Sequence, residues 1–74
     1  MAANSLTIGP VHTITQNVSF ALPPRRLKVR SSGALETSLD ESTWVAVTLV
    51  DGQADVAAPF IRTTAATALV SIAP

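Results

Sequence analysis

Residues 42–50 of the chain read Ser42-Thr43-Trp44-Val45-Ala46-Val47-Thr48-Leu49-Val50. This segment contains the only Trp and the densest run of residues that favour β-strands, since Val, Thr and Trp suit a pleated surface. Turn-forming residues bound it, with Asp40-Glu41 before it and Asp51-Gly52 after it. We therefore predict a central strand around which the other strands pack.

Both faces of this predicted strand are apolar. Alternation places Trp44, Ala46 and Val50 on one face, and Val45, Val47 and Leu49 on the other. Such a strand is either covered on both sides within its own chain, or it meets another chain. Because a chain of 74 residues has little else to cover both faces, we expect one face to contact a partner.

The rest of the chain alternates polar and apolar residues in short segments separated by turn residues, which is typical of an all-β protein. We predict a single domain over residues 1–74, a small antiparallel β-sandwich or barrel of about seven to eight short strands with no substantial helix. Residues 1–4, or 1–10, are a candidate extended arm. A hairpin across Ser32-Gly33 would place Lys28 or Arg30 opposite Glu36. The predicted strands are 5–8, 11–22 with a bulge or turn at Gln16-Asn17, 25–31, 34–39, 42–50, 53–58, 60–63 and 68–73.

Size and composition favour association. A domain this small buries only roughly 60% of its unfolded surface, and such domains usually rely on disulfides, a metal or oligomerisation. The chain has no Cys and one His, so neither a disulfide nor a thiolate zinc site is available and no cofactor is expected. Oligomerisation is the remaining option.

The charges are segregated although the formal net charge is zero. Arg25, Arg26, Lys28 and Arg30 fall within residues 25–30, whereas every acid lies downstream. The pattern favours pairing between neighbouring strands of one chain, and a contact between copies is the alternative. Net neutrality, and a basic segment without interleaved aromatic residues, argue against nucleic-acid binding. No segment is long and apolar enough to predict a membrane span.

No catalytic constellation stands out. His12 is the only His, and no nucleophile-elbow pattern accompanies it, so we interpret it as a structural residue. Asp40-Glu41 provides too few oxygen ligands for a hard cation and is interpreted as a solvated turn. Trp44, which could stack on a sugar ring, is interpreted as a core residue. We expect a protein that is not an enzyme.

Residues 34–73 resemble the small structural proteins of tailed bacteriophages. The resemblance lies in a turn-to-strand step, Ser38-x-Asp40-x-x-x-Trp44, followed by a short Phe60-Ile61-Arg62 strand and a final apolar strand at residues 68–72. It implies a virion protein synthesised in the host cytoplasm, with a capsid decoration (cement) protein as the best match. Such a protein would bind the lattice of the major capsid protein and its own copies as a trimer or other small ring.

The expected partner and self-association residues come from three segments: Leu6 and Ile8; Arg25, Arg26, Lys28 and Arg30; and Val45, Val47 and Leu49. The alternative is a tail-associated or carbohydrate-binding β-sandwich that would use Trp44 and Asp40. A similar Ser-x-Asp-Gly-x-x-Trp step occurs in discoidin-like sandwiches, where Glu41 of this chain stands in the place of the Gly.

Overall fold

Alternating side chains and Gly- or Pro-containing turns produce nine strands in the computed structural model, which describes residues 4–74. The described residues contain no helix, and the predicted all-β class is confirmed. The strands are β1 (Asn4–Ser5), β2 (His12–Thr15), β3 (Phe20–Ala21), β4 (Leu27–Ser31), β5 (Leu35–Ser38), β6 (Val45–Ala46), β7 (Gln53–Val56), β8 (Phe60–Thr63) and β9 (Thr67–Ala73).

The strands form two sheets that pack face to face. Sheet A has the order β1-β3-β8-β5-β6, and sheet B has the order β2-β9-β4-β7. Neighbouring strands are antiparallel, except that β1 runs parallel to β3. The core between the sheets is aliphatic, because the inward positions of β4 and β9 carry Leu, Val, Ile and Ala. The most buried apolar side chains are Ile14, Leu27, Val29, Leu35, Ile61 and Val70.

The hairpin predicted across Ser32-Gly33 is wrong. β4 pairs with β7 and β9 in sheet B, whereas β5 pairs with β6 and β8 in sheet A. The segment is a crossover between sheets, and Glu36 consequently faces Arg62 instead of Lys28 or Arg30. A hairpin and a crossover both direct Leu27 and Leu35 into one core, so alternation alone does not distinguish them.

The predicted central strand at residues 42–50 is also wrong. Only Val45–Ala46 is a strand, and it lies at the outer end of sheet A. Val47 still donates its backbone N–H to Leu35 O at 3.0 Å, after which the chain leaves the sheet. The central position of sheet A belongs to β8, whose Ile61 is fully buried, and Trp44 is half-buried at the surface.

Two predicted turns are confirmed by their backbone geometry. Asp51 and Gly52 both have positive φ, at 55° and 73°, and Val50 and Gln53 exchange backbone hydrogen bonds of 2.9 and 3.0 Å. This is the two-residue hairpin turn that Asp-Gly favours. Asn17 likewise adopts a φ of 59° between β2 and β3, at the predicted bulge or turn.

From residue 4 onward the N-terminal segment belongs to the domain and is not an extended arm. β1 lies beside β3, and Leu6 donates its backbone N–H to Ala21 O at 2.9 Å. The Leu6 side chain is only 3% exposed and is part of the core. The remainder of the predicted arm, residues 1–3, lies outside the described residues.

Candidate protein-interaction site

The strand β6 leaves one side of the sandwich open. Val45 lies opposite Thr37 in the antiparallel pair, so its side chain is on the same face of sheet A as the core residue Leu35. It is nevertheless 62% exposed, on a strand at the edge of sheet A. A core-facing valine therefore remains in contact with solvent.

The opening lies between β5 and β6 of sheet A and β7 of sheet B. It holds two shallow depressions of about 460 and 240 Å³, which share Thr37 and Ala58 in their linings. Three large apolar side chains at this opening are mostly exposed: Leu39 at 79%, Val45 at 62% and Val50 at 68%. We call the surface formed by Leu39, Asp40, Val45 and Val50 the open mouth.

The open mouth is mainly apolar. Asp40 lines one depression; Asp55 lines the other, but it is the cross-strand neighbour of Lys28, so its side chain lies on the outer face of sheet B. A group of exposed apolar side chains of this kind is typical of a protein-binding surface.

A hydrogen-bonded turn holds the apolar side chains in place. Asp40 Oδ1 accepts hydrogen bonds from the backbone N–H groups of Ser42 and Thr43, both at 2.9 Å, and from Ser38 Oγ at 3.0 Å. Ser38 Oγ itself accepts from the backbone N–H of Glu41 at 2.8 Å. The N–H of Thr43, then that of Ser42 and the Ser38 hydroxyl, lower the pKa of Asp40 below its ordinary value.

The carboxylate of Asp40 therefore has a structural task at the start of β6. No group of three or more His, Cys, Asp or Glu side chains within residues 4–74 could hold a metal ion. The hydrogen bonds of Asp40 agree with the interpretation of Asp40-Glu41 as a turn.

Trp44 sits on the outer face of sheet A beside an ion pair. Arg62 Nε donates to Glu36 Oε1 at 2.8 Å, and the guanidinium carbon of Arg62 lies 4.3 Å from the centroid of the Trp44 ring. One face of the ring is thus occupied by a cation–π contact. This contact ties the residue before β6 to the centre of the sheet, through β8.

The basic strand β4 presents its charges on the outer face of sheet B. Lys28 and Arg30 are exposed, and β4 lies between β9 and β7. Asp55 of β7 is the cross-strand neighbour of Lys28, but no ion pair within the described residues joins Lys28 or Arg30 to a carboxylate. Arg25 and Arg26 are exposed on the loop before β4.

Apolar side chains surround these two cations. Val11, Arg30 and Leu69 line one depression of about 360 Å³, and Ile8, Lys28 and Arg30 line a neighbouring one of about 370 Å³. Val11 is 66% exposed, Leu69 is 54% exposed and Ile8 is 37% exposed. We call the surface formed by Ile8, Val11, Lys28, Arg30 and Leu69 the basic patch.

The residues predicted to contact partners do not all lie at these two surfaces. Leu6 is in the core, and Val47 and Leu49 are half-buried and pack against the core, although Val47 also lines the depression of about 460 Å³ at the open mouth. Ile8, Lys28 and Arg30 come together in the basic patch, and Val45 is at the open mouth.

Sequence reasoning missed Leu39, Val50, Val11 and Leu69. A signal existed for Leu69, since it occupies an outward position of β9 between Thr67 and Ser71. An apolar residue at an otherwise polar register position indicates a contact surface. Nothing comparable marks Leu39, which follows a buried strand residue and precedes a turn.

His12 has a local structural contact, as the sequence suggested. Its Nε2 atom lies 3.1 Å from the backbone N of Thr7 and accepts that hydrogen bond. The side chain therefore fixes the loop between β1 and β2 against β2.

The described residues contain no helix that could span a membrane. Comparison of the chain with protein-family models, with curated proteins and with solved structures found no match.

Proposed function

We propose that this chain is a non-enzymatic structural protein of a tailed-bacteriophage virion. Within that class we propose a capsid decoration protein, which binds the lattice of the major capsid protein and stabilises the head. The observation that carries the proposal is the open mouth, where a core-facing valine of an edge strand remains exposed beside Leu39 and Val50.

The energetic argument for a partner follows from burial. Fully burying a Val or Leu side chain contributes roughly 1.5–3 kcal/mol relative to leaving it exposed. Leu39, Val45 and Val50 remain mostly in solvent, so a subunit that covers the open mouth gains a contribution of this kind from each. A binding partner that contacts only the folded chain also shifts the folding equilibrium toward the folded state.

The bacteriophage context rests on the resemblance of residues 34–73 alone. The step Ser38-x-Asp40-x-x-x-Trp44 forms the turn that positions Leu39 and Val45 at the open mouth. The residues that carry the resemblance therefore build the turn beside the exposed apolar surface.

The tail-associated or carbohydrate-binding alternative receives less support from the contacts. Arg62 covers one face of Trp44, and Oδ1 of Asp40 already accepts hydrogen bonds within its own turn. A sugar at this site would be restricted to the other face of the ring and would compete with these hydrogen bonds for Oδ1 of Asp40. Titration with host polysaccharide, followed by Trp44 fluorescence, would reveal such a site by a saturable change in emission.

The proposal is tested on particles of the phage that encodes the chain. Purified virions are separated into heads and tails, and the chain is quantified in each fraction against the major capsid protein. We expect the chain in the head fraction at a fixed ratio to that protein. Added recombinant chain should also rebind to heads from which the native protein has been removed.

Two variants refine the rebinding measurement. Val45→Lys should reduce rebinding, because it places a charge in the open mouth, whereas Ala66→Lys adds the same charge on the exposed loop before β9 and should not. Absence of the chain from purified particles would overturn the proposal. Its recovery with the tails alone would replace the decoration role with the tail-associated one.

A further inference from the structure

We propose that the chain itself closes the open mouth reversibly, when residues 46–48 pair with residues 55–57 and extend the hairpin whose turn is Asp51-Gly52. This pairing joins the edge of sheet A to the edge of sheet B, so that one continuous sheet forms on this side of the sandwich. The closure is independent of the proposed function, whereas its consequence for partner binding rests on that function and deepens it.

The hairpin at Asp51-Gly52 is formed only at its tip. Val50 and Gln53 exchange backbone hydrogen bonds of 2.9 and 3.0 Å, and no further pair of the two arms is hydrogen-bonded within the described residues. Beyond this pair the arms separate, because β6 joins β5 in sheet A whereas β7 joins β4 in sheet B. The depression of about 460 Å³ lies in the gap, and Thr48 and Asp55 both line it.

The first arm carries unpaired backbone groups at the edge of sheet A. Val47 donates its backbone N–H to Leu35 O, so Val47 and, two residues earlier, Val45 are the positions that bond to β5. Ala46 alternates with them and turns its N–H and C=O away from β5, and Thr48 follows at the same register. Within the described residues no backbone hydrogen bond uses the groups of Ala46 or Thr48.

The second arm carries the matching groups at the edge of sheet B. Ser31 donates its backbone N–H to Gly52 O at 2.9 Å, and bonded positions alternate along an antiparallel strand. Asp55 therefore turns its N–H and C=O away from β4, and Ala57 follows two residues later at the same register. Neither Asp55 nor Ala57 makes a backbone hydrogen bond through these groups within the part of the chain that the structure describes.

The two sets of unpaired groups are in register with the tip of the hairpin. One step of two residues along each arm from the bonded pair at the tip reaches Thr48 and Asp55. A second step reaches Ala46 and Ala57. Since hydrogen-bonded pairs recur at this interval in an antiparallel ladder, these residues are the next two pairs of the same hairpin. The ladder ends there, because Pro59 has no backbone N–H.

The side chains of the two arms are sorted for this pairing. Apolar side chains of both arms are buried in the core or pack against it: Val47, Leu49, Val56 and Ala58. The four residues with unpaired backbone groups all have exposed side chains. Pairing in this register therefore keeps the inward face apolar and the exposed residues outward. Closure also places Val45 opposite Ala58 on the inward face and reduces its exposure, which is 62% in the open form.

Closure makes access to the open mouth conditional. A partner that covers Val45 binds the open form, in which this side chain is exposed. Partner binding and closure therefore exclude each other, and a partner shifts the chain toward the open form. The apparent affinity for the partner is lowered by the fraction of the chain that is closed.

Nuclear magnetic resonance tests the closure on the wild type. In the closed form Val47 and Val56 are a non-hydrogen-bonded pair, whose backbones approach more closely than those of a bonded pair. We expect a nuclear Overhauser effect between the Hα atoms of these two residues. Its absence would overturn the proposal, because in the open form the two residues line opposite sides of the depression.

A disulfide locks the closed form. Ala46 and Ala57 are exposed, and the Cα atoms of such a bonded pair lie about 5.5 Å apart, within the range that a disulfide spans. The chain has no Cys, so Ala46→Cys/Ala57→Cys can form only one intramolecular bond. With oxidised glutathione as the oxidant and dilute protein, we expect this variant to oxidise faster than the control Ala46→Cys/Ala66→Cys. Equal rates would overturn the proposal.

Rebinding to phage heads tests the consequence for the partner. The oxidised Ala46→Cys/Ala57→Cys variant should lose rebinding and regain it on reduction, whereas the control should rebind equally before and after treatment with the oxidant. Equal rebinding of the oxidised and reduced variant would overturn the exclusion of the partner by closure. A chain that closes but is absent from particles keeps the closure and loses the virion role. A chain that is recovered with heads but fails the resonance and oxidation tests keeps the decoration role and loses the closure.

Discussion

At the scale of single residues, Asp40 stabilises the turn before β6, and this turn lies beside the open mouth. Its carboxylate accepts two backbone N–H groups and the Ser38 hydroxyl, which together hold Leu39 and Val45 at the open mouth. The hydrogen bonds favour the charged form and lower the pKa of Asp40 below 3.8. The turn therefore contributes stability that depends on pH.

We expect Asp40→Asn to destabilise the fold at neutral pH, with a difference from the wild type that disappears in acid. A carboxyl whose pKa is lowered by folding contributes its full stability above the unfolded value of about 3.8, and loses it as pH falls through the lower folded value. Urea unfolding midpoints at several pH values measure this. Asp51→Asn is the matched control, and an unchanged difference between the variants down to the lowest pH would contradict the assignment.

Arg62 contributes to stability through its contacts with Trp44 and Glu36. We expect Arg62→Ala to lower the free energy of unfolding by about 1 kcal/mol, through loss of the contact with Trp44 and of the half-buried ion pair with Glu36. Trp44 emission should shift to longer wavelength, because its ring becomes more exposed to water. Lys28→Ala removes a cation without such contacts, and an identical effect in that variant would refute the explanation.

At the scale of elements, the crossover from β4 to β5 carries the chain from sheet B to sheet A. Ser32 remains paired with β9, since its backbone N donates to Leu69 O at 3.0 Å and its hydroxyl accepts from Leu69 N at 2.9 Å. Gly33 then passes close to the loop between β8 and β9. A Cβ at Gly33 would lie 3.0 Å from the Ala65 Cβ and 3.3 Å from the Ala68 Cβ.

We expect Gly33→Ala to destabilise the fold by about 1–3 kcal/mol, because the added methyl group overpacks this corner. In the background of Ala65→Gly the penalty should be smaller, since the nearest contact is then removed. Urea denaturation of the two single variants, the double variant and the wild type measures the coupling. Equal penalties in both backgrounds would show that Ala65 is not the residue that Gly33 accommodates.

At the scale of the whole molecule, an aliphatic core between two small sheets coexists with two uncovered apolar surfaces. The core includes Ile14, Leu35 and Ile61, whereas Val45 on the edge strand β6 of sheet A and Leu69 on β9 of sheet B remain exposed. A chain of this size gains stability when copies or partners cover such surfaces. Stability should therefore depend on protein concentration.

We expect the midpoint of thermal unfolding of the wild type to rise with protein concentration, because association stabilises only the folded state. Val45→Lys should show a midpoint that is independent of concentration and close to that of the dilute wild type, since Val45 is 62% exposed in the single chain. Differential scanning calorimetry over a wide concentration range measures both. A concentration-independent wild type would contradict the association.

The sequence by itself determined the local features of this protein. Alternation predicted the all-β class and most strand positions, and the turns at Asn17 and Asp51-Gly52 were predictable because positive φ values suit only a few residue types. The absence of Cys and the low charge led to the prediction that the chain relies on partners, which stays a prediction.

Only the tertiary structure decided which strands pair and which apolar residues remain outside. A hairpin and a crossover at Ser32-Gly33 bury the same side chains, and β6 has the composition of a central strand while lying at an edge. Pairing depends on contacts between residues that are distant in sequence, and local periodicity does not contain this information. The exposure of Val45 at the open mouth follows from its place at that edge.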